Sequence, residues 1–279
     1  MPDRIEKLGN SVIQHGKYND RIYLMKMDPA DAWTLPQKLD SLAESEHYTK
    51  IFAKVPISSA PAFQKQGFAK EAFIPGFYRG NTPAYFMSKF PDRQRASVPN
   101  DARKEISDII KLAKSKYNAP IPELPDEFRI KQLEASDISK LTSLYSAVFK
   151  TYPFPIFDDA YIAETMGDNF HYFGVFRGEE LLSASSSETD PENRNVEMTD
   201  FATHPDHTGH GFAVHLLIAM EKEMKSREFL TAFTIARAFS HGMNITFAKC
   251  GYEFSGTLIN NTNINGQIES MNVWYKKLG

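Results

Sequence analysis

The chain has 279 residues, of which 42% are hydrophobic and 24% are charged, and these are ordinary values for a globular protein. Its 32 basic and 35 acidic residues give a net charge of −3, which excludes the overall basic character of a typical nucleic-acid binder. The one cysteine, Cys250, excludes an intramolecular disulfide and a cysteine-rich metal site.

The sequence shows neither a membrane span nor a secretory signal. The most apolar run, residues 212–220, contains His215 and is far shorter than the roughly 20 residues that a span needs. Residues 1–10 are polar and charged and lack an apolar core. We therefore expect a soluble, cytoplasmic protein with no membrane partner and no nucleic-acid partner.

The chain length predicts about two domains, and a helix with a proline-rich linker separates them. Residues 1–99 are predicted to form a smaller α/β domain. A helix from Asn100 to about residue 117 follows, because it carries one apolar stripe of Ile106, Ile109, Ile110 and Ala113. Three prolines between residues 118 and 126 then predict an extended segment. Residues 100–126 are thus expected to join the two domains.

Residues 127–279 are predicted to form a mixed α/β domain. The predicted elements are a strand at 128–133, a helix at 138–150, strands at 171–176, 181–188 and 195–203, a helix at 212–227, a strand at 229–236, a helix at 239–249, and strands at 252–257 and 269–275. Hairpin signals join the three strands in the middle, so the sheet is expected to combine antiparallel and parallel pairs.

The most informative segment is residues 201–213, where a predicted strand leads through Gly209 and Gly211 into an apolar helix. A helix N-terminus offers unpaired N–H groups, and glycine lets the backbone approach phosphates closely. The nucleotide-triphosphate loop signature is absent, and the dinucleotide fingerprint fails at Val214 and Thr231. A different pyrophosphate-bearing cofactor is therefore expected, although a plain strand–helix turn remains an alternative.

The segment from Pro205 to Ala213 resembles the Arg/Gln-x-x-Gly-x-Gly/Ala loop of the GNAT acetyltransferase superfamily, whose element order also matches the predicted one. The resemblance implies a GNAT-like C-terminal domain that uses acetyl-CoA. It implies cofactor contacts from Phe201, Ala202, Thr203, Thr208, Gly209, His210, Gly211, Phe212, Ala213, Asn244 and Phe247. Thr208 replaces the family's Arg or Gln, which should weaken cofactor binding. Phe247 replaces the frequent tyrosine acid, for which Tyr252 could substitute.

Three further stretches, residues 9–23, 149–155 and 197–203, resemble the β-lysine N-acetyltransferases. This resemblance implies acetylation of β-lysine to N-acetyl-β-lysine, a compatible solute. Another amino acid, a polyamine or a protein lysine are alternative acceptors, and a non-catalytic CoA-binding sensor is an alternative of a different class.

Transfer to an amine needs a base, because a lysine-type ammonium has a pKa near 10.4. Side chains alternate along the strand at 195–203, so Glu197 shares one face with Thr199, Phe201 and Thr203. We expect Glu197 to be the base. Asp200 is the second candidate, since it faces the other way unless a bulge intervenes. A backbone N–H near residues 201–203 could stabilise the thioester oxygen.

Recognition of a diamino acid needs groups for its charges. Tyr152, Phe154 and Phe157 could form an aromatic wall, and Glu188 could bind an ammonium. Core packing explains the aromatic residues equally well, and a surface turn explains Glu188. Four histidines fall within residues 204–215, but the same loop must hold a pyrophosphate, so we expect no metal.

A short internal repeat connects the halves, since residues 63–68 match residues 247–252 near the ends of two predicted helices. It suggests that residues 21–90 are a reduced, degenerate GNAT-like relative of the C-terminal domain. The first half has no glycine loop of the same kind, so we expect it to serve as a scaffold, a substrate-side wall or a homodimer contact.

Overall fold

Two mixed β-sheets, one in each half of the chain, dominate the computed structural model, which describes residues 3–264 and 266–279. The N-terminal sheet has the strand order β1-β2-β3-β4-β6-β5, and its β3 and β4 pair in parallel. Its elements are β1 (Arg4–Leu8), β2 (Ser11–Gly16), β3 (Arg21–Lys26), α1 (Leu35–Ser45), β4 (Lys50–Pro56), α2 (Ala60–Lys65), β5 (Ala69–Tyr78) and β6 (Thr82–Lys89).

A linking helix, α3 (Asn100–Lys114), leads to the C-terminal sheet, which has the order β12-β13-β11-β10-β9-β8-β7. The parallel pair of this sheet is β10 and β11. Its elements are β7 (Phe128–Gln132), α4 (Ile138–Val148), α5 (Asp159–Gly167), β8 (Phe170–Arg177), β9 (Glu180–Asp190), β10 (Asn195–Thr203), α6 (Phe212–Ser226), β11 (Thr231–Arg237), α7 (His241–Lys249), β12 (Glu253–Ile264) and β13 (Gln267–Lys277).

The predicted mixed α/β fold is confirmed, with two differences in the C-terminal half. The sequence analysis missed α5, whose nine residues have a weak apolar periodicity and follow a proline-rich stretch. Strand β12 continues well past the predicted end, through a polar run of Asn and Thr residues that resembles a loop. This extension is bulged between Leu258 and Thr262, which explains why no regular alternation marks it.

The linking helix belongs to the C-terminal half by its contacts. Helix α3 packs against α7, and Ala113 is part of the C-terminal core. Beyond the helix, the amide of Asn118 donates to the carbonyl of Ala248 at the end of α7. Pro99 occupies the N-cap position of α3.

The two sheets have the same strand order. Aligning β3 and β4 with β10 and β11 makes β1-β2-β3-β4-β6-β5 equivalent to β8-β9-β10-β11-β13-β12, with one helix before and one helix after the second parallel strand in each half. The sequence repeat falls at equivalent places, at the ends of α2 and α7. Ring centroids of Phe63 and Phe68 lie 5.1 Å apart, and those of Phe247 and Tyr252 also lie 5.1 Å apart. The N-terminal half is thus a smaller version of the same topology.

Equivalent residues of the two halves make reciprocal contacts across the interface. Arg21 and Lys50 lie opposite each other at the start of β3 and β4, and each donates to a backbone carbonyl of β12 at 2.6 Å. Asn195 and Thr231 are the corresponding pair in β10 and β11. They donate to backbone carbonyls of β5, at 3.1 and 2.7 Å.

An apolar cluster fills the space between these polar contacts. It joins Phe52 and Phe86 of the N-terminal sheet to Phe233, Leu258 and Val273 of the C-terminal sheet. All five side chains are buried, so separating the halves would expose a shared core. Within the described part of the chain, no helix has the length and apolar character needed to cross a bilayer.

Candidate active site

The site begins where the two parallel strands of the C-terminal sheet diverge. Pairing of β10 with β11 runs from Asn195–Thr231 to Glu197–Phe233, and beyond it the strands separate. Strand β10 is bulged between Thr199 and Ala202, where its register against β9 shifts. The separation leaves a cavity between the strands, here called the strand slot.

The strand slot is lined by both strands and by α7. Phe201 and Phe247 contribute two rings whose centroids lie 5.6 Å apart at nearly a right angle. Other lining residues are Phe149, Tyr152, Met198, Thr199, Asp200, Thr234, Ile235, Ala236, Arg237, Ser240, Met243, Ile264 and Met271. A mainly apolar slot bounded by backbone edges suits a long, thin ligand arm.

The glycine loop follows the C-terminal end of β10, beyond the strand slot, and leads into α6. Gly211 is the N-cap of α6 with φ of +73°, and Gly209 has φ of +88°. A Cβ atom added at either glycine would meet nothing within 4 Å, so the loop faces open space. The first N–H groups of a helix have no intrahelical partner, which makes this end of α6 able to bind a phosphate group.

The predicted loop residues divide into exposed and buried ones. Thr208 and His210 are exposed with the two glycines, Ala213 is half-buried, and Phe212 is buried. The Phe212 ring lies 4.9 Å from that of Phe128, and the His210 ring stacks on Phe212 at 5.3 Å. Phe212 therefore anchors the helix start in the core, and the residues before it present the backbone to solvent.

The last residues of β10 are tied to β9. Ser183 Oγ donates to the carbonyl of Ala202 at 2.8 Å and lies 2.8 Å from Thr203 Oγ1. In residues 3–264 and 266–279, no group of three or more His, Cys, Asp or Glu side chains is arranged to hold a metal ion.

Two predicted site residues do not line the strand slot. Asn244 is fully buried, and its Nδ2 donates to the carbonyls of Arg237 and Ser240. Its Oδ1 accepts from Asn272 Nδ2 and Trp274 Nε1, each at 2.9 Å. With every polar atom engaged, Asn244 holds α7 against β11 and β13, and the geometry gives no support to a cofactor contact.

Tyr252 also lies outside the strand slot. It is fully buried in the C-terminal core, where its ring packs against Phe247. Burial raises the pKa of its hydroxyl well above the usual value. We therefore no longer expect Tyr252 to protonate a leaving group.

A second cavity, here called the interdomain pocket, lies between the two halves and joins the strand slot. The two cavities share six lining residues, which are Tyr152, Thr199, Asp200, Ile235, Ile264 and Met271. The C-terminal half also contributes Phe154, Tyr161, Tyr172, Glu188, Glu197, Asn261 and Thr262 to the interdomain pocket, and the N-terminal half contributes Arg21, Tyr23, Met25 and Phe52. No local sequence signal singles out the N-terminal residues of this pocket, although the stretch 9–23 that carries the resemblance contains Arg21 and Tyr23.

The central feature of the interdomain pocket is a pair of carboxylates. Glu197 of β10 lies directly opposite Glu188 of β9, so both side chains point to the same face of the sheet. Burial and the charge of Glu188 raise the pKa of Glu197 to about 8, and burial likewise raises the pKa of Glu188. Among the described residues, neither carboxylate accepts a hydrogen bond. Like charges opposite each other are destabilising, so this pair is suited to a cationic ligand.

Asp200 reaches the cavities because of the bulge in β10, where its φ is +55°. Its carboxylate accepts hydrogen bonds from Tyr152 Oη and from Ser186 Oγ, each at 2.5 Å. Burial raises the pKa of Asp200 although these bonds act in the opposite direction. Its oxygens are therefore occupied by hydroxyl donors, whereas those of Glu197 are available.

The aromatic wall is present in part. Tyr152 and Phe154 line the interdomain pocket, whereas Phe157 is 37% exposed and does not. Phe157 is therefore outside the wall that the sequence suggested.

Lys54 of the N-terminal half faces the carboxylate pair from a third, polar cavity that also contains Glu188 and Glu197. Its Nζ lies 5.2 Å from the ring centroid of Tyr23. Burial disfavours the ammonium, but Tyr23, Glu197 and Glu188 outweigh it and raise the pKa of Lys54. Lys54 is therefore a fixed cation beside two carboxylates.

Comparison with known proteins gives a family match and full-length relatives. The model of a family described as "Acetyltransferase (GNAT) family" matches residues 138–252. The chain is 41% identical to a Methanococcus maripaludis protein named beta-lysine N(6)-acetyltransferase, over 98% of both chains. It is 34% identical to the N-acetyltransferase YodP of Bacillus subtilis, over 96% of both chains. It is 33% identical to a Methanosarcina mazei protein named beta-lysine N(6)-acetyltransferase, over 86% of this chain and 95% of the relative.

Proposed function

Because this chain belongs to the GNAT acetyltransferase family and is an acetyl-CoA-dependent N-acetyltransferase, we propose that it acetylates the side-chain amine of β-lysine, giving N-acetyl-β-lysine. The observation that carries the proposal is the Glu188–Glu197 pair, which faces a pocket joined to the strand slot. Two relatives that match almost their whole length carry the name of this activity. We further propose that the product serves as a compatible solute in the cytoplasm.

The strand slot and the α6 N-terminus are the parts that suit acetyl-CoA. The loop at Gly209 and Gly211 presents open backbone for the pyrophosphate, and the apolar slot accommodates the pantetheine arm. The cofactor supplies an activated acetyl thioester. Phe201 and Phe247 would then flank the arm between the diverging strands.

Glu197 is suited to receive the proton that the substrate must lose. The attacking amine has a pKa near 10.4, and a base whose pKa lies near the working pH is most efficient. With its pKa raised to about 8, Glu197 is closer to this requirement than an ordinary carboxylate. Its oxygens face the pocket without a bound donor, so they can contact the ammonium directly or through one water.

Bond changes in the transfer balance without a protein acid. The amine nitrogen forms a bond to the acetyl carbon, the carbon–sulfur bond breaks, and the sulfur keeps the bonding electrons. The ammonium loses its first proton to Glu197 before the attack. The nitrogen loses a second proton as the amide forms, and this proton passes to the departing sulfur, whose thiol has a pKa near 8.5, or to water. The bulge at residues 199–202 removes two residues of β10 from regular pairing, and this supports the proposal that a free backbone N–H there donates to the thioester oxygen.

We propose that Glu188 holds positive charge on the substrate beside Glu197. Tyr152 and Phe154 form the adjacent wall, whose ring faces attract cations. A polyamine would also satisfy the carboxylates, and a protein lysine would need an open groove. A pocket enclosed by both halves of the chain favours a small free amine over a protein.

The test is calorimetry with acetyl-CoA, followed by thiol release with β-lysine, lysine and spermidine. Binding and release with a preference for β-lysine supports the proposal. Release that is fastest with spermidine would assign a polyamine substrate. Binding of acetyl-CoA without thiol release for any amine would indicate a CoA-binding sensor.

A further inference from the structure

Arg21 is a buried cation at the wall of the interdomain pocket that the N-terminal half contributes, and nothing in the transfer chemistry above uses it. We propose that Arg21 binds the carboxylate of the substrate, so that the N-terminal half selects amino acids over diamines of the same length. This inference rests on the proposed function and deepens it, because it assigns the specificity of the same site.

The bonding of Arg21 leaves part of its guanidinium without a partner. The side chain is only 4% exposed, and Nη1 donates to the carbonyl of Asn261 at 2.6 Å and to Thr262 Oγ1 at 3.1 Å. Its Nε has no acceptor among the described residues. No carboxylate of residues 3–264 or 266–279 bonds to Arg21, and it acts on Asp3 and Glu197 only over a longer range.

Two partly buried arginines of the chain are bonded more completely. Arg237 donates from Nε and Nη2 to the two oxygens of Glu269, at 2.9 and 2.6 Å. Arg95 donates from all three nitrogens, to Asn260, Thr49 and Asn19. Arg21 is thus an incompletely satisfied guanidinium that lines a pocket, and burying such a charge without a counter-ion is costly.

A carboxylate is the ligand that fits this environment. Guanidinium groups bind carboxylates through paired, charge-assisted hydrogen bonds. Burial lowers the pKa of Arg21 to about 10, so the group keeps its charge at neutral pH. The neighbouring Asn261 has a buried Oδ1 without a donor, which would suit the ammonium that lies close to a substrate carboxylate.

The charges of the interdomain pocket are therefore divided between the two halves of the chain. The C-terminal half supplies the carboxylates Glu188 and Glu197, which attract an ammonium, and the N-terminal half supplies the guanidinium. A diamine pairs its ammonium groups with the two carboxylates but leaves Arg21 buried and without a counter-ion. A site built to hydrogen-bond one substrate group rejects an analogue that lacks this group by about 10⁴-fold. We expect a smaller preference for the acid here, of at least about 100-fold, because Arg21 keeps its bonds to β12 when a diamine is bound.

The experiment compares each acid with the diamine obtained by replacing its carboxylate with hydrogen. The two pairs are β-lysine with its diamine, and lysine with cadaverine. Thiol release gives kcat and KM for the wild type, Arg21→Gln, Arg21→Lys and Arg95→Gln. The Arg95→Gln variant is the matched control, since Arg95 also donates across the interface, to Asn260, but does not line the pocket.

We expect the wild type and Arg95→Gln to favour β-lysine over its diamine by about 100-fold or more. Arg21→Gln should lose this preference through a higher KM for the acid, with little change for the diamine, and Arg21→Lys should restore part of it. An Arg21→Gln variant that lowers both activities equally, while Arg95→Gln is normal, would overturn the proposal and leave Arg21 a structural residue.

If the proposed function is wrong, the kinetic results differ from those expected when only the role of Arg21 is wrong. If the wild type turns over lysine but not β-lysine, the substrate assignment is wrong, and the ratio for lysine and cadaverine still decides the role of Arg21. If no amine is turned over, calorimetric titration of each acid and diamine into CoA-saturated protein replaces the kinetic ratio. Equal binding of acid and diamine there would refute the proposal.

Discussion

Replacing Glu197 with glutamine should strongly reduce the rate of transfer and at the same time stabilise the protein. The carboxylate at this position lies opposite Glu188 and has a pKa raised to about 8 by burial and by that neighbour. Glutamine has nearly the same shape but carries no charge. The substitution therefore removes a base and also removes a repulsive, desolvated charge from the sheet.

The sign and size of the stability change follow from proton linkage. A carboxyl whose pKa is higher in the folded protein destabilises it as the pH rises from its ordinary value, 4.5, toward 8, and the full penalty applies above 8. At pH 7 the ionisation penalty has an upper limit of about 3.4 kcal/mol, at about 1.4 kcal/mol for each pH unit. Water in the adjoining cavities screens the charge, so we expect a gain of about 1–2 kcal/mol.

The assay is thermal and urea unfolding of the wild type and Glu197→Gln at pH 5 and pH 8, with thiol release measured on the same samples. We expect the variant to melt about 4 °C higher at pH 8 and to match the wild type more closely at pH 5, with activity reduced by about 100-fold or more. The exposed Glu123→Gln is the control and should change neither quantity. A Glu197→Gln variant with normal turnover would refute the assignment of the base, and one that is less stable at pH 8 than the wild type would refute the charge argument.

Three further outcomes follow from the site. In the wild type, kcat/KM should rise with pH up to about 8 as Glu197 loses its proton. Glu188→Gln should move the midpoint of this pH profile to lower pH, because it removes the neighbouring charge. A midpoint that does not move would contradict the electrostatic coupling of Glu188 and Glu197. Gly211→Ala should weaken acetyl-CoA binding severalfold in calorimetry, because a left-handed φ costs an alanine about 1 kcal/mol, whereas Gly67→Ala, also at a left-handed position but in the N-terminal half, should bind normally. Asn244→Ala should lower the free energy of unfolding by about 3 kcal/mol, since it leaves buried donors and acceptors unpaired, and a loss below 1 kcal/mol in urea unfolding would contradict its structural role.

The sequence predicted the C-terminal fold well because its elements carry strong local signals. Strand β10 was predicted with the bounds that the structure has, and α6 follows directly from its glycine loop. Helix α5 was missed because its apolar residues do not form one clear stripe, and its position depends on packing against α4 and β8. A local sequence pattern does not show that a helix is stabilised by packing against other elements.

Only the part of the site that the C-terminal half contributes was predictable from the sequence. Alternation along β10 placed Glu197 on the open face, and the bulge that brings Asp200 to the cavities was named as a condition rather than predicted. A bulge depends on the register of two strands, which one strand's sequence does not specify. Arg21 was missed for a similar reason, because it joins the pocket through contacts with β12, about 240 residues away in sequence.

Reciprocal contacts between the two halves resemble the self-complementary interface of a two-fold dimer, but here a covalent link joins the partners. Dilution cannot separate them, because the effective concentration of each half for the other is fixed by the linker rather than by the amount of enzyme. Nor do the joined halves need the same side chain at corresponding positions, as the arginine of β3 and the asparagine of β10 demonstrate. A symmetric dimer would carry two identical pockets, whereas this arrangement allows one half to keep the acidic wall while the other evolves a cationic one.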